Sequence, residues 1–234
     1  MRPIAQLVES IHQEAQRAPF PVDTPVYEKA GKDPLVPILF AGSLDAAPCV
    51  FGRDLGKDEV AEGQPLIGAG GRLVRTGVYQ AVHGVLPPKS DRKLESVLTD
   101  VLLTNTVPYK PPGNKAYTTT VKERFRPFIA ELLACHWKGR HVITLGTEAF
   151  QWYLPYADAE AGAAFWNRDD RYEAEFPCFL TVNQGSESVQ KTLTLLPLPH
   201  PSPLNQRWYK RFPELLAHRL VQLREATERD GKNA

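Results

Sequence analysis

Val101-Leu102-Leu103-Thr104-Asn105 is a compact apolar run that stops at an amide. It passes at once into loop chemistry, Pro108-Tyr109-Lys110-Pro111-Pro112-Gly113-Asn114. A short apolar run closed by turn-forming residues reads as a buried strand that delivers its last residue to a loop. The pattern recurs along the chain. Ile38-Leu39-Phe40-Ala41 and Cys49-Val50-Phe51 are similar runs, the second closed by Gly52. His141-Val142-Ile143-Thr144-Leu145 is closed by Gly146, and Thr192-Leu193-Thr194-Leu195-Leu196 runs into the loop Pro197 to Asn205.

Helical periodicity fills the intervals. Ile4, Leu7, Val8 and Ile11 predict an amphipathic helix over residues 1–17. Residues 72–82 predict a second, and Val121, Phe125, Phe128, Ile129, Leu132 and Leu133 a third over 120–135 despite Pro127. Thr147 is read as the cap of a helix reaching Leu154, and Leu215, Leu216, Leu220 and Leu223 form the inner face of a last helix over 208–228. The five prolines from Ala18 to Pro37 predict an irregular connection, the five glycines from Arg53 to Gly71 a long loop, and 156–176 is polar and poorly patterned. Strands alternating with helices predict an α/β fold, a three-layer α/β/α arrangement with a central, mainly parallel, roughly four-stranded sheet. The chain reads as one domain over 1–234, with the N-terminal helix and proline-rich segment 1–37 as an extension.

Composition narrows the function. The 234 residues carry 28 Lys and Arg against 27 Asp and Glu, a net charge of +1, so a uniformly polycationic nucleic-acid binder is excluded but a local basic stripe is not. The three cysteines, Cys49, Cys135 and Cys178, are widely spaced and make no C-x-x-C pair. Alone they build neither a disulfide framework nor a four-cysteine metal site, and they are read as small buried hydrophobes. No N-terminal secretory pattern occurs, and no run nears the roughly 18 apolar residues that span a bilayer. A reduced, cytoplasmic, monomeric protein without membrane contact is expected.

In a parallel sheet, ligands bind outside the C-terminal strand ends. Three polar loops follow such ends here: Gly52 to Gly71 with Asp54, Asn105 to Asn114, and His200 to Asn205. Singly, each residue has a plain structural reading: Asp54 beside glycine as an Asx turn, Asn105 as a turn residue, His200 as a packed imidazole. Together, a carboxylate, a carboxamide and an imidazole can bind a polar heterocycle and polarise a bond to it. P-loop, H-E-x-x-H and G-x-S-x-G patterns are missing, which removes the common phosphate, zinc and serine-hydrolase readings.

The ordered set Gly52-Arg53-Asp54-Leu55-Gly56, Leu102-Leu103-Thr104-Asn105 and His200-Pro201-Ser202-Pro203-Leu204 resembles the uracil-DNA glycosylase superfamily. The third motif is like the H-P-S-P-L of its family-one enzymes. Gly63 to Leu73 resembles the G-x-P-F-V-G-x-A-G-x-L segment of the iron–sulfur-containing family-four branch, and Thr104 to Asn114 its T-N-V-V-K-C-R-P-P-x-N. Where that branch has a cluster cysteine this chain has Tyr109, and the N-terminal cysteine pair is missing, so neither an iron–sulfur cluster nor another metal or cofactor is expected. Arg53 replaces Gln or Glu, Gly56 stands where family one has a tyrosine that blocks the thymine methyl, and Leu66 replaces the stacking phenylalanine.

The resemblance implies a metal-independent DNA glycosylase that flips out uracil or another deaminated base and hydrolyses its N-glycosidic bond, initiating base excision repair. Asp54 would orient water and face the sugar cation, and His200 would donate to the base O2. Asn105 would read the base edge, with Leu66, Gly56, Phe51 and Arg53 around the base. Backbone N–H groups at Gly70 and Gly71 and the Ser202 hydroxyl would hold phosphates, while Leu204 would fill the gap left in the stack. Arg207, Lys210 and Arg211, interleaved with Trp208 and Tyr209, suit a solvated helix face or phosphate contacts, and their place beside Leu204 favours phosphate. Lys110 and Lys115 would extend that edge. Tyr109, like Phe51, adjoins the crevice motifs and is read as a base contact, whereas Trp137 and Trp152 are read as core. Two other readings remain open: a homologue that binds DNA lesions without cutting, and a hydrolase of free nucleosides or nucleotides.

Overall fold

The computed structural model describes residues 2–113, 115–184, 187–203 and 205–232, with side chains from 226 onward and those of Gln184 and Glu187 outside the description. The expected wedge, Leu204, lies outside the described residues, as does Asn114. The elements run α1 (Ile4–Arg17), α2 (Thr24–Lys29), β1 (Phe40–Gly42), β2 (Pro48–Gly52), α3 (Lys57–Glu62), α4 (Ala69–His83), β3 (Leu102–Asn105), α5 (Thr119–Glu131), β4 (His141–Leu145), α6 (Thr147–Gln151), α7 (Ala159–Trp166), β5 (Phe176–Gln184), β6 (Glu187–Leu198), α8 (Gln206–Tyr209) and α9 (Phe212–Lys232).

The sheet has six strands in the order β1-β3-β2-β4-β6-β5. The central four are mutually parallel, and β1 and β5 are antiparallel additions at the two edges. Cys49, Val50 and Phe51, Leu102 and Leu103, and Val142 and Ile143 are fully buried. Strands covered on both faces have no solvent side, so their sequences read as continuous apolar runs. Alternate residues point to opposite faces. Cys49, Phe51, Leu102 and Val142 join one apolar layer with Leu7 and Ile11 of α1 and Phe125 and Ile129 of α5. Val50, Leu103, Ile143 and Leu145 join the other with Val74 and Val78 of α4 and Leu215, Leu216, Leu220 and Leu223 of α9. The result is the expected three layers.

Several local expectations are corrected. The sheet gains β5, which alternates buried Phe176, Cys178, Leu180 and Val182 with exposed Pro177, Phe179 and Thr181. That period-2 pattern follows a polar stretch which hid it, and the same stretch contains α7, capped by Asp158 Oδ1 accepting from Ala161 N at 2.7 Å. The glycine-rich loop contains α3 and the first turn of α4, and the proline-rich connection contains α2. Thr147 is the first helical residue of α6 and not its cap; Gly146 precedes it at φ +85°, a conformation suited to glycine. Helix α5 continues past Pro127 and ends in a π-turn at Leu132–His136. Segment 1–37 packs onto the rest of the fold. Leu7, Ile11 and Ala15 are buried in the same layer as the sheet, and Arg2 binds Glu131 while Arg124 binds Glu14.

Trp137, Trp152 and all three cysteines are buried, as read from the sequence, and the cysteines are free thiols. Among the described residues no helix is long and apolar enough to cross a membrane.

Candidate active site

The four parallel strands end side by side, and three of them, β2, β3 and β6, hand the chain to the loops carrying Asp54, Asn105 and His200. Gly52, last in β2, is the register partner of Asn105, last in β3. Leu145 of β4 pairs with Leu198 of β6, two residues before His200. Glycines let these ends approach. A Cβ on Gly52 would stand 2.6 Å from Asn105 Nδ2 and 3.3 Å from Leu66 Cδ2, so carboxamide and leucine converge over that backbone. A Cβ on Gly146 would lie 3.0 Å from His200 Cβ, and one on Gly70 would lie 2.6 Å from the Pro201 carbonyl oxygen. The His200 loop is thereby seated between the starts of α6 and α4.

Asp54 follows two residues after β2. Its side chain is only 3% exposed, with Arg53 Nε 2.6 Å from Oδ2. That contact is an ion pair off the hydrogen-bond axis, and neither carboxylate oxygen accepts a well-aligned hydrogen bond. Burial pushes the Asp54 carboxyl above its ordinary pKa, while Arg53 and Lys122 pull it back. Lys122 of α5 pairs with Glu148 in the first turn of α6. Asn105 is buried, and its Oδ1 has no hydrogen-bond partner. A buried acceptor left unmatched is costly in a folded chain and is suited to a ligand donor. His200 is exposed at the rim. Its imidazole is nonetheless held below the usual value, first by the protein packed around it and second by Arg53, so it is neutral at neutral pH.

The loop bearing Leu66 is built from residues that the sequence reading passed over. Leu66 has φ +53°, a left-handed conformation that is strained for a leucine. Glu59 of α3, itself buried, accepts from Gly56 N at 3.0 Å, Ile67 N at 3.1 Å and Gly68 N at 2.8 Å. Arg75 of α4, also buried, donates to the Leu66, Pro65 and Lys93 carbonyls and to Gln64 Oε1. A glutamate in the first turn after a glycine cap, reaching back to the cap N–H as one half of a capping box, is the signal that could have exposed the first of these. Nothing local marks Arg75, whose partners are up to 18 residues away.

Other assignments move. Phe51 does not face the crevice: it is fully buried, with its ring 5.0 Å from those of Trp152 and Tyr153, because strand alternation turns it into the core. Tyr109 is likewise buried, its hydroxyl donating to the Leu35 carbonyl at 2.9 Å. It cannot ligate as a cysteine would, and no group of three His, Cys, Asp or Glu among the described residues could hold a metal ion. The described residues therefore do not fit an iron–sulfur cluster. Lys110 is buried and bonded to Asp23 at 2.6 Å, so it is removed from any DNA edge.

Gly56 caps α3, and Gly71 is buried where a Cβ would meet the Leu66 backbone at 2.0 Å. Arg207 and Arg211 are exposed and lie 5.1 and 5.2 Å from the ring of Trp208, with Lys210 exposed beside them and Ser202 part-buried. A cavity of about 370 Å³ beside Pro48, lined by Val78, Ala81, Leu220 and Leu223, lies where β2 begins, away from the loops at the strand ends.

The family model of the uracil DNA glycosylase superfamily matches residues 40–224, from β1 into α9. The chain belongs to that superfamily. No curated protein matches it. Membership in the uracil DNA glycosylase superfamily carries glycosylase-type action on DNA as the general function, and all three loops lie within the matched span.

Proposed function

We propose that the chain is a single-domain, monofunctional DNA glycosylase that hydrolyses the N-glycosidic bond of uracil, or of another deaminated base, flipped out of DNA. The observation that supports this best is the meeting of the Asp54, Asn105 and His200 loops at the C-terminal ends of adjacent parallel strands. In the reaction the C1′–N1 bond breaks with both electrons passing to the base. Water adds to C1′ and loses a proton, and the base anion takes up a proton on release.

Asp54 faces the cationic sugar and orients the water. At about 4 Å and an effective dielectric near 20, one such charge pair is worth about 4 kcal/mol. His200 donates from its neutral imidazole to the base O2, worth roughly 2.7–4 kcal/mol for a preorganised donor. Together these approach the low end of the roughly 8–23 kcal/mol by which enzymes lower barriers. Asn105 accepts from N3–H and donates to O4. Cytosine presents the opposite pattern and would leave buried groups mismatched. Gly70, Ser202, Arg207, Lys210 and Arg211 hold the phosphates, with the loop containing Leu204 filling the vacated stack.

The test is release of free base from oligonucleotides carrying uracil, hypoxanthine, xanthine or a thymine mismatch. His200→Ala is expected to lower single-turnover release by about 10²–10³-fold. Full activity in both Asp54→Asn and His200→Ala would overturn the assigned roles. The close Arg53–Asp54 pair favours a second reading, a lesion binder that does not cut. Tight binding to uracil or abasic DNA with no release of any base would establish that one instead.

A further inference from the structure

We propose that Arg53 is itself a catalytic residue, contacting the departing base and carrying part of its negative charge. This rests on the glycosylase reading and extends it to a group that the family motifs do not contain. Two observations fix where Arg53 stands. Its carbonyl accepts from both the backbone N–H and the hydroxyl of Thr106, which clamps it to the residue following Asn105. Its side chain is 31% exposed against 3% for Asp54, so the cation lies on the open side of the carboxylate it pairs with. Nε is turned to Asp54, and a guanidinium is a planar fork of donors whose shape matches planar anions. On the neighbouring loop, His200 feels the same charge.

A cation at this place suits the chemistry. Asp54 stabilises the sugar cation but repels the base anion formed alongside it. A guanidinium between the two cancels that repulsion, and it gains strength as charge moves from the C1′–N1 bond onto the base, which is the condition for accelerating a reaction. The competing account is that Arg53 only neutralises a buried acid.

The two accounts separate on leaving-group dependence. Single-turnover release of uracil and of 5-fluorouracil would be measured from otherwise identical oligonucleotides, using the unsubstituted chain, Arg53→Gln and Arg53→Lys. Fluorine already stabilises the base anion, so Arg53→Gln should lower uracil release about 10²-fold or more and 5-fluorouracil release about tenfold or less. Arg53→Lys, which keeps the charge without the fork, should fall between. Equal fold losses on the two bases would overturn the inference while leaving the glycosylase reading intact. Should Arg53→Gln fail to fold, the same differential read on Arg53→Lys decides. No release of either base by the unsubstituted chain would overturn the glycosylase reading itself, and this inference with it.

Discussion

Asp54 is the residue whose environment is most at odds with its charge. An acid raised above its ordinary pKa of 3.8 by burial binds more protons folded than unfolded, so stability falls as pH rises from the unfolded value to the folded one and remains lower at neutral pH. Asp54→Asn is therefore expected to abolish base release yet raise the melting temperature, by about 2–4 °C for about 1 kcal/mol in a chain of this size. Differential scanning calorimetry beside an activity assay checks both halves. The same shift sets the acid limb of activity. kcat/KM should fall on acidification at a pH above the ordinary carboxylate range, because the working form is ionised. Lys122→Met removes a charge that pulls the acid back, so it should move that limb to higher pH without moving binding of abasic DNA. At this scale the sequence could name Asp54, Asn105 and His200 by type and order. It could not show that Arg53 pairs with Asp54, nor that Phe51, one residue before Gly52, turns inward.

Among elements, the junction of α3, α4 and the intervening loop carries the most risk. Glu59 gathers three backbone N–H groups from α3 and from residues 67 and 68, holding Leu66 in its left-handed conformation. Glu59→Gln replaces one acceptor oxygen by a donor facing an N–H, and should destabilise by about 1.5–3 kcal/mol in urea unfolding. Gly71→Ala would drive a methyl into the Leu66 backbone and lower the unfolding midpoint. Gly70→Ala meets only Pro201 of the His200 loop, at its carbonyl and ring, so its larger loss should be in kcat. Strands β2, β3 and β4 were legible because burial on both faces makes them continuous apolar runs. Helices α2, α3 and α7 were not, because they are short and lie in segments whose prolines, glycines and charges signal loops.

For the whole molecule, near-zero net charge suits the proposed contact with DNA over one edge. Exposed Arg207 of α8 and exposed Arg211, two residues beyond that helix, both lie against the ring of Trp208. Replacing both by alanine should weaken DNA binding and reduce the slope of log K against log salt by about 1.8, the value for two phosphate contacts, in a fluorescence titration over several salt concentrations. Lys110→Ala should leave that slope unchanged, since its charge is spent on Asp23 inside the fold. By itself the sequence determined the α/β alternation, the parallel centre of the sheet and the three loops at its C-terminal edge. Those follow from local periodicity and from motifs a few residues long. Only the tertiary structure decided which strands are neighbours, which aromatic rings turn into the core, that Lys122 of α5 bears on Asp54, and that Glu59 and Arg75 hold the Leu66 loop. Lys122 and Asp54 are far apart in the chain, and a carboxylate or ammonium group carries no local mark of the partner it will meet.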